Sequence, residues 1–287
     1  MELSLTVFGL TADLYPELAV QAEASGFEML WLSDHLITPA TFAADYPYSD
    51  TGRPGYDSRT ILNDVWVLVG HLSAVTSRIR FGSGVFILPL RNPFVTALAV
   101  ATASRLSKGR VTLGVGSGWM REEFEAVGAD FDTRGRRLDE CLDVLAGLFT
   151  GEEFSYQGSF FDFPPAGIGG PSVADIPVVF GGVSDVVLRR TARRGDGWFG
   201  PVCPLEESRA TVERLDRLRA DGPLAGRPLV HYPRLVGDWS YDNLQRYRDA
   251  GFERVVLSGG GVLGALTSPA ARAEALDAVA EAARRLA

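Results

Sequence analysis

Lysine is almost missing from this chain: Lys108 stands alone against 27 arginines. A Schiff-base mechanism needs a lysine at the active end of a strand. Lys108 lies just before a strand, on the opposite face, so that chemistry is excluded. Histidine occurs three times (His35, His71 and His231), scattered and with no His-x-His pair. The two cysteines, Cys141 and Cys203, have no metal-ligand spacing. A zinc site and a disulfide framework are set aside on those grounds. No Gly-x-Ser-x-Gly elbow is present, which removes the common route to a serine hydrolase. Excess positive charge is missing too. The formal charge is -8, which argues against broad binding to nucleic acid or anionic membranes. Apolar runs reach strand length and stop short of a membrane span. The first residues enter a strand pattern without a basic-then-apolar leader. A cytoplasmic protein with a small-molecule substrate is expected.

What is present is a chain of 287 residues, 46% hydrophobic, with 32 glycines. That length suits one large domain, and we read residues 1–287 as a single one. Strand patterns fall at 3–9, 27–33, 79–85, 110–116, 176–180, 197–199, 229–232 and 254–258. Helical patterns alternate with them at 13–25, 60–76, 92–107, 133–149, 184–194, 205–220, 240–250 and 269–286, with Asp13 and Ser184 as caps. Alternation of this kind implies parallel strands joined by right-handed crossovers. Eight such units imply a closed (β/α)8 TIM barrel, with an open doubly wound sheet as the alternative. Two insertions interrupt the count. One follows the second strand and is rich in Pro, Gly and Tyr from Pro39 to Tyr56. The other, residues 152–175, precedes the fifth strand and contains a small hairpin pattern at 154–161. A loop as long as the first is read as a lid.

Barrel sites lie at the C-terminal ends of the strands, and the chemistry-bearing residues collect there. Asp34-His35 follows the second strand, where histidine is suited to proton transfer near neutral pH. Gly84-Val85 closes the third. After the fourth, Gly114-Val115-Gly116-Ser117-Gly118-Trp119 forms a backbone cradle, since glycine admits close approach of a ligand. Gly181-Gly182-Val183-Ser184 opens a helix and offers free N–H groups to an anion. Ser258-Gly259-Gly260-Gly261 occupies the other position that barrels use for phosphate. A single proton-transfer histidine, a phosphate loop and a glycine-lined groove fit a flavin-like cofactor, which carries the redox step itself. His71 is read as packing on the outer ring. His231 and Trp198 are read as structural groups in the barrel. Arg134, Arg136 and Glu140 are read as an ion-pair network at a helix start, Arg189 and Arg190 as a solvated helix face, and Cys203 as unpartnered.

Several segments together resemble the luciferase-like monooxygenase superfamily. They are Ala103-Ser104-Arg105-Leu106-Ser107 through Gly114-Val115-Gly116-x-Gly118-Trp119-x-x-Glu122-Glu123-Phe124, then Phe131-Asp132-x-Arg134-Gly135-Arg136. Trp31-x-Ser33-Asp34-His35, Tyr46-Pro47-Tyr48-Ser49 and Gly181-Gly182-x-Ser184 through Gly197-Trp198 continue the match over about the first 200 residues. The nearest branch is the coenzyme F420-dependent oxidoreductases. The resemblance implies a deazaflavin, coenzyme F420, with FMN as the alternative, a homodimer, and a non-proline cis peptide at Gly84–Val85 behind the ring. It carries Asp34 and His35 over to the reacting centre. Gly116, Ser117, Gly118 and Trp119 would line the cofactor, and Gly181, Gly182 and Ser184 its phosphate. An acidic residue takes the place of Trp119 in the sugar-phosphate dehydrogenases of that family, which argues against such a substrate here. The expected reaction is hydride transfer to or from a largely apolar organic molecule, with His35, held by Asp34, moving the proton. The alternatives are an FMN-dependent monooxygenase supplied by a flavin reductase and a non-catalytic flavin-binding protein.

Overall fold

The computed structural model describes residues 1–43, 46–49, 51–259, 263, 266 and 268–286. The barrel wall is parallel throughout. Its strands are β1 (Glu2–Val7), β2 (Met29–Leu32), β3 (Arg80–Ser83), β4 (Phe86–Ile87), β5 (Val111–Gly116), β8 (Val178–Gly181), β9 (Gly197–Phe199), β10 (Val230–Tyr232) and β11 (Arg254–Ser258). They run in the order β10-β9-β8-β5-β3-β2-β1-β11, with β4 pairing further along β5. The ring closes just past β10: the Val256 N–H donates to Pro233 O and the Leu235 N–H to Val256 O, each at 2.9 Å. β6 (Phe154–Gln157) and β7 (Asp162–Ala166) form the antiparallel hairpin of the second insertion.

The strand count is that of the eight-unit pattern, with one difference. The third strand is broken at the Gly84–Val85 peptide, which is cis, and resumes as β4. Around the wall stand α1 (Leu14–Ser25), α2 (Val65–Val75), α3 (Pro93–Leu106), α4 (Arg121–Ala126), α5 (Arg134–Phe149), α6 (Asp185–Arg194), α7 (Leu205–Ala220), α8 (Tyr241–Asp249) and α9 (Pro269–Arg284). Side-chain caps explain where several begin. Asp64 accepts from the N–H groups of Trp66 and Val67, so α2 starts five residues later than its apolar pattern suggests. Asn92 with Pro93 starts α3, and Ser184, Ser240 and Ser268 start α6, α8 and α9. Asp13 makes no such bond, although α1 follows it.

Period-two alternation separates the two faces of the wall. Met29 and Trp31 point inward and meet Val179, Phe199, Tyr232 and Val256. Leu30 and Leu32 point outward to the helices. The bulky Trp31 ring needs room. A Cβ on Gly82 would fall 2.3 Å from it and one on Gly114 3.2 Å from it. The barrel interior at this level is therefore a packed core.

Candidate active site

Asp34 and His35 leave β2 at the mouth but face different partners. Asp34 is buried, 4% exposed. Its Oδ1 accepts from Arg91 Nη2 at 2.6 Å, and its Oδ2 from Arg91 Nη1 at 2.7 Å and the Ile87 N–H at 2.9 Å. Burial pushes the carboxyl up, while the Arg91 guanidinium and the Ile87 N–H oppose the rise. Three N–H donors on its two oxygens call for a carboxylate acceptor. Asp34 thus fixes the start of the lid to the broken third strand. It does not hold His35, which corrects the expected Asp–His pairing.

Glu123 of α4 holds His35 instead. Both its oxygens lie 3.2 Å from His35 Nδ1, and Oε1 also accepts the Leu36 N–H at 2.7 Å. Glu123 is 0% exposed. On the other side of the ring, the Tyr56 hydroxyl stands 2.8 Å from His35 Nε2. With a carboxylate at Nδ1, the proton sits there and Nε2 accepts from Tyr56. Burial pushes the Tyr56 hydroxyl above its ordinary value, and Tyr46 and Glu123 push the same way. It is therefore a protonated donor across the neutral range. Nothing in the sequence marks Glu123, Tyr56 or Arg91 as a partner of Asp34-His35. Glu122-Glu123 was visible within the motif, but without the role that the first turn of α4 gives it.

The lid is tied down beside this relay. Glu122 accepts the Ala43 N–H at 2.6 Å. Trp119 stacks on Phe42 (centroids 5.9 Å apart) and meets Tyr46 edge-on at 5.0 Å. Phe8 packs edge-on against Tyr56 at 5.1 Å, beneath the His35 ring.

Most of the cradle glycines accommodate the protein rather than a ligand. A Cβ on Gly114 would strike Ser83 O, and one on Gly116 would come within 2.7 Å of Val85 Cγ2. Gly181 would meet Val85 Cγ1 at 2.8 Å. Val85 is thus seated between two strand-end glycines, with Gly84 facing Phe199. Gly118 has φ +82 and lies against Ile87 and Phe124. Its carbonyl accepts from Arg134 Nε at 3.2 Å. Ser117 and Trp119 remain partly open beside it.

The Gly181-Gly182 loop is pinned from behind by Trp198, whose Nε1 donates to Gly182 O at 2.8 Å. Trp198 packs with Leu188 and Leu215, outside the barrel wall rather than within it. Ser184 Oγ accepts the Val187 N–H at 3.4 Å as the cap of α6. Asp185 in that first turn is neutralised by Arg214 at 2.7 Å and more weakly by Arg189 at 3.8 Å. Tyr48 of the lid reaches over Gly182. In the other candidate phosphate loop, Ser258 Oγ accepts from Arg234 Nη2 at 2.8 Å. Gly259 abuts Leu5 and Leu263. Gly260 and Gly261 lie outside the described residues.

Four further structural readings change. Arg190 is half-buried on Asp139 (2.7 and 2.9 Å) and does not lie on a solvated face. Glu140 ends the hairpin turn by accepting the N–H groups of Ser159, Phe160 and Phe161. His231 reaches outward to Asp216 of α7 at 3.0 Å. Cys203 Sγ lies 3.2 Å from Ser208 Oγ. Among the described residues no cluster of His, Cys, Asp and Glu suits a metal, and no helix is long and apolar enough to cross a membrane.

A broken third strand, a histidine relay and a glycine loop at a helix start thus gather at one end of the barrel. Residues 11–236 match the luciferase-like monooxygenase family, and the chain belongs to it. A Mycobacterium tuberculosis protein of uncharacterised function is 33% identical over 243 residues, 85% of this chain and 84% of its own length. The F420-dependent glucose-6-phosphate dehydrogenase of Amycolatopsis mediterranei is 31% identical over 187 residues, 64% of this chain and 51% of that protein. Solved structures share the fold at low identity. The monooxygenase RslO1 of Streptomyces bottropensis superposes with TM-score 0.77 at 16% identity, over 98% of each chain. The F420-dependent tetrahydromethanopterin reductase of Methanopyrus kandleri gives 0.73 at 15%, over 98% of this chain and 97% of that one.

Proposed function

We propose that the barrel mouth binds coenzyme F420 and that the protein is an oxidoreductase moving a hydride between that coenzyme and a small organic substrate. The observation that carries the reading is the Tyr56–His35–Glu123 relay, set at the rim that also holds the Gly84–Val85 turn. The residues present fit such a group. Val85 projects from the broken strand, held by Gly116 and Gly181, and offers an apolar backing for a flat ring. Ser117, Gly118 and Trp119 flank it. Gly182 and Ser184 offer the start of α6 to a phosphate. When bound, the coenzyme supplies the carbon that gives or takes the hydride.

The chain supplies proton management and exclusion of water. Glu123 fixes His35 with its proton on Nδ1 and stabilises the ring when Nε2 is also protonated. The Tyr56 hydroxyl hands a proton to or from Nε2 and faces the lid side of the mouth. Phe42, Tyr46 and Trp119 close the pocket above. Asp34 is a positioning residue in this scheme, acting through Arg91 and Ile87. The sugar phosphate of the Amycolatopsis relative is not carried over, because Trp119 stands where the resemblance implies an acidic residue for that substrate and is stacked on Phe42. A second reading, an FMN-dependent monooxygenase, draws on the superposition with RslO1. We also propose that the protein is a homodimer.

Titration of the purified protein with F420 and, separately, with FMN tests the reading. Tryptophan fluorescence is the readout, and Trp119→Phe is the control for the local signal. Tight F420 binding with weak FMN binding supports hydride transfer. The reverse preference moves the protein to the monooxygenase reading, and binding of neither removes both.

A further inference from the structure

Arg234 is a cation that the chemistry above leaves unused. It follows β10 on the stretch that closes the barrel against Val256. Its Nη2 donates to Ser258 Oγ at the end of β11. Its guanidinium lies over the Phe199 ring, 5.6 Å from the centroid. The Phe199 ring is also the neighbour of Gly84, 3.0 Å from a Cβ built there. Tyr46 of the lid lies near enough to act on its charge. Burial pushes the guanidinium down to about 10, and Tyr46 opposes that shift. Arg234 therefore stands at the rim beside the broken strand, with Phe199 on one side and the lid on another.

Among the described residues no acid pairs with it. Other enclosed guanidiniums in the protein are answered. Arg91 has Asp34, Arg190 has Asp139, Arg254 has Glu2 and Arg272 has Glu17. Arg110 and Arg219 are met by rows of backbone carbonyls. Among the described residues Arg234 has only the Ser258 hydroxyl, and its Nε is enclosed with no hydrogen-bond partner. A guanidinium withdrawn from water is costly unless an anion or a set of acceptors offsets the loss. Its fork of N–H donors matches the two oxygens of a carboxylate.

We propose that Arg234 is the oxyanion-binding residue of the substrate pocket, taking the carboxylate of an organic acid through its Nε–H and an adjacent Nη–H. The apolar body of that acid lies among Phe199, Tyr46 and Trp119. The substrate class is thus an apolar carboxylate, which refines the apolar substrate expected from the lid aromatics alone. This rests on the barrel mouth being the active site and not on which coenzyme binds there.

The test is calorimetric titration, without coenzyme, of wild type and Arg234→Met with benzoate, cinnamate and hexanoate and with the three matching amides. The expected result is binding of at least one carboxylate in preference to its amide, weakened about tenfold or more in Arg234→Met. Arg234→Lys is expected to recover part of it. Melting of the two ligand-free proteins is the second readout. Removal of an unanswered enclosed charge should raise Tm in Arg234→Met, as it does where buried ions are replaced by apolar groups. Carboxylates bound equally by wild type and Arg234→Met, or by neither, overturn the proposal. So does a lowered Tm with unchanged binding, which makes Arg234 structural. If Arg234→Met instead weakens only F420, the cation serves the coenzyme, and the substrate assignment fails while the coenzyme reading stands.

Discussion

His35 has one partner on each ring nitrogen, and that fixes what each substitution should do. His35→Ala removes the group that exchanges the proton, so turnover should fall about 10²–10⁴-fold, the usual worth of a positioned acid or base. Glu123→Gln keeps an acceptor but loses the charge that stabilises the doubly protonated ring. A smaller fall is expected there, with a shifted pH–rate profile. Tyr56→Phe should slow turnover while leaving the Glu123 contact in place. In all three, F420 affinity by fluorescence should stay near that of wild type, because none of these groups lies in the Val85 or Ser184 part of the mouth. A His35→Ala enzyme with full turnover would falsify the relay. Asp34→Asn differs in kind. It leaves Arg91 with a neutral acceptor at a buried position, so the expected first effect is a lower Tm.

At the scale of elements, the joint between α1 and β3 is held by one side chain. Glu23 accepts the N–H groups of Ser77, Arg78 and Ile79 and the Ser77 hydroxyl. Burial pushes the Glu23 carboxyl up, but those donors outweigh it and hold the group down at about 2, against an ordinary 4.5. A carboxyl depressed in the folded state contributes stability above its unfolded pKa and loses it as pH falls through the folded one. Glu23→Ala should therefore cost about 1 kcal/mol at neutral pH, discounted for the solvent on Ser77 and Arg78. The gap in urea midpoint between the variant and wild type should be constant above pH 4.5 and close toward pH 2. A gap that does not change with pH would mean that packing, not charge, ties the joint.

Elements are also where the sequence was most legible. Runs such as Met29–Leu32 and Arg254–Ser258 carry their strand pattern within a few residues, and Asp34-His35 and Gly181-Gly182 end strands in plain sight. What the sequence hid were the pairings. Arg91 lies 57 positions from Asp34 and Glu123 lies 88 from His35, so only the pairing of β2 with β3 and of β3 with β5 brings them together. The glycines were hidden in a different way. Gly114, Gly116 and Gly181 announced close approach, but a sequence does not say by what. The answer is Ser83 O and Val85, which are neighbours across the sheet.

For the whole molecule, one side of the helical ring is unlike the rest. Helices α5 to α7 face solvent with charged side chains in ion pairs. Helix α2 has no charged residue, and α3 has only Arg105, whose Nη2 is turned to the carbonyls of Gly169 and Pro171. The two helices are adjacent. Their outer faces expose Val67 (72%), Val95 (68%), Leu98 (54%) and Leu106 (59%). A largely apolar face, interrupted by the exposed His71 and Thr102, is costly in water and marks an interaction site. A second copy of the chain is the occupant it fits, because two uncharged faces answer each other through a twofold axis without any unpaired ion. Such an interface needs about 800 Å² per partner, which two helices of eleven and fourteen residues are long enough to supply. Light scattering on wild type should give twice the chain mass. Val95→Glu with Leu98→Glu places two charges at the centre of the face and should give the mass of one chain with the melting transition retained. The relay residues lie at the strand ends and these helices on the flank, so any loss of turnover in that monomer would report assembly rather than chemistry. A wild type that runs as a monomer at micromolar concentration sinks the dimer and leaves the apolar face for a different partner.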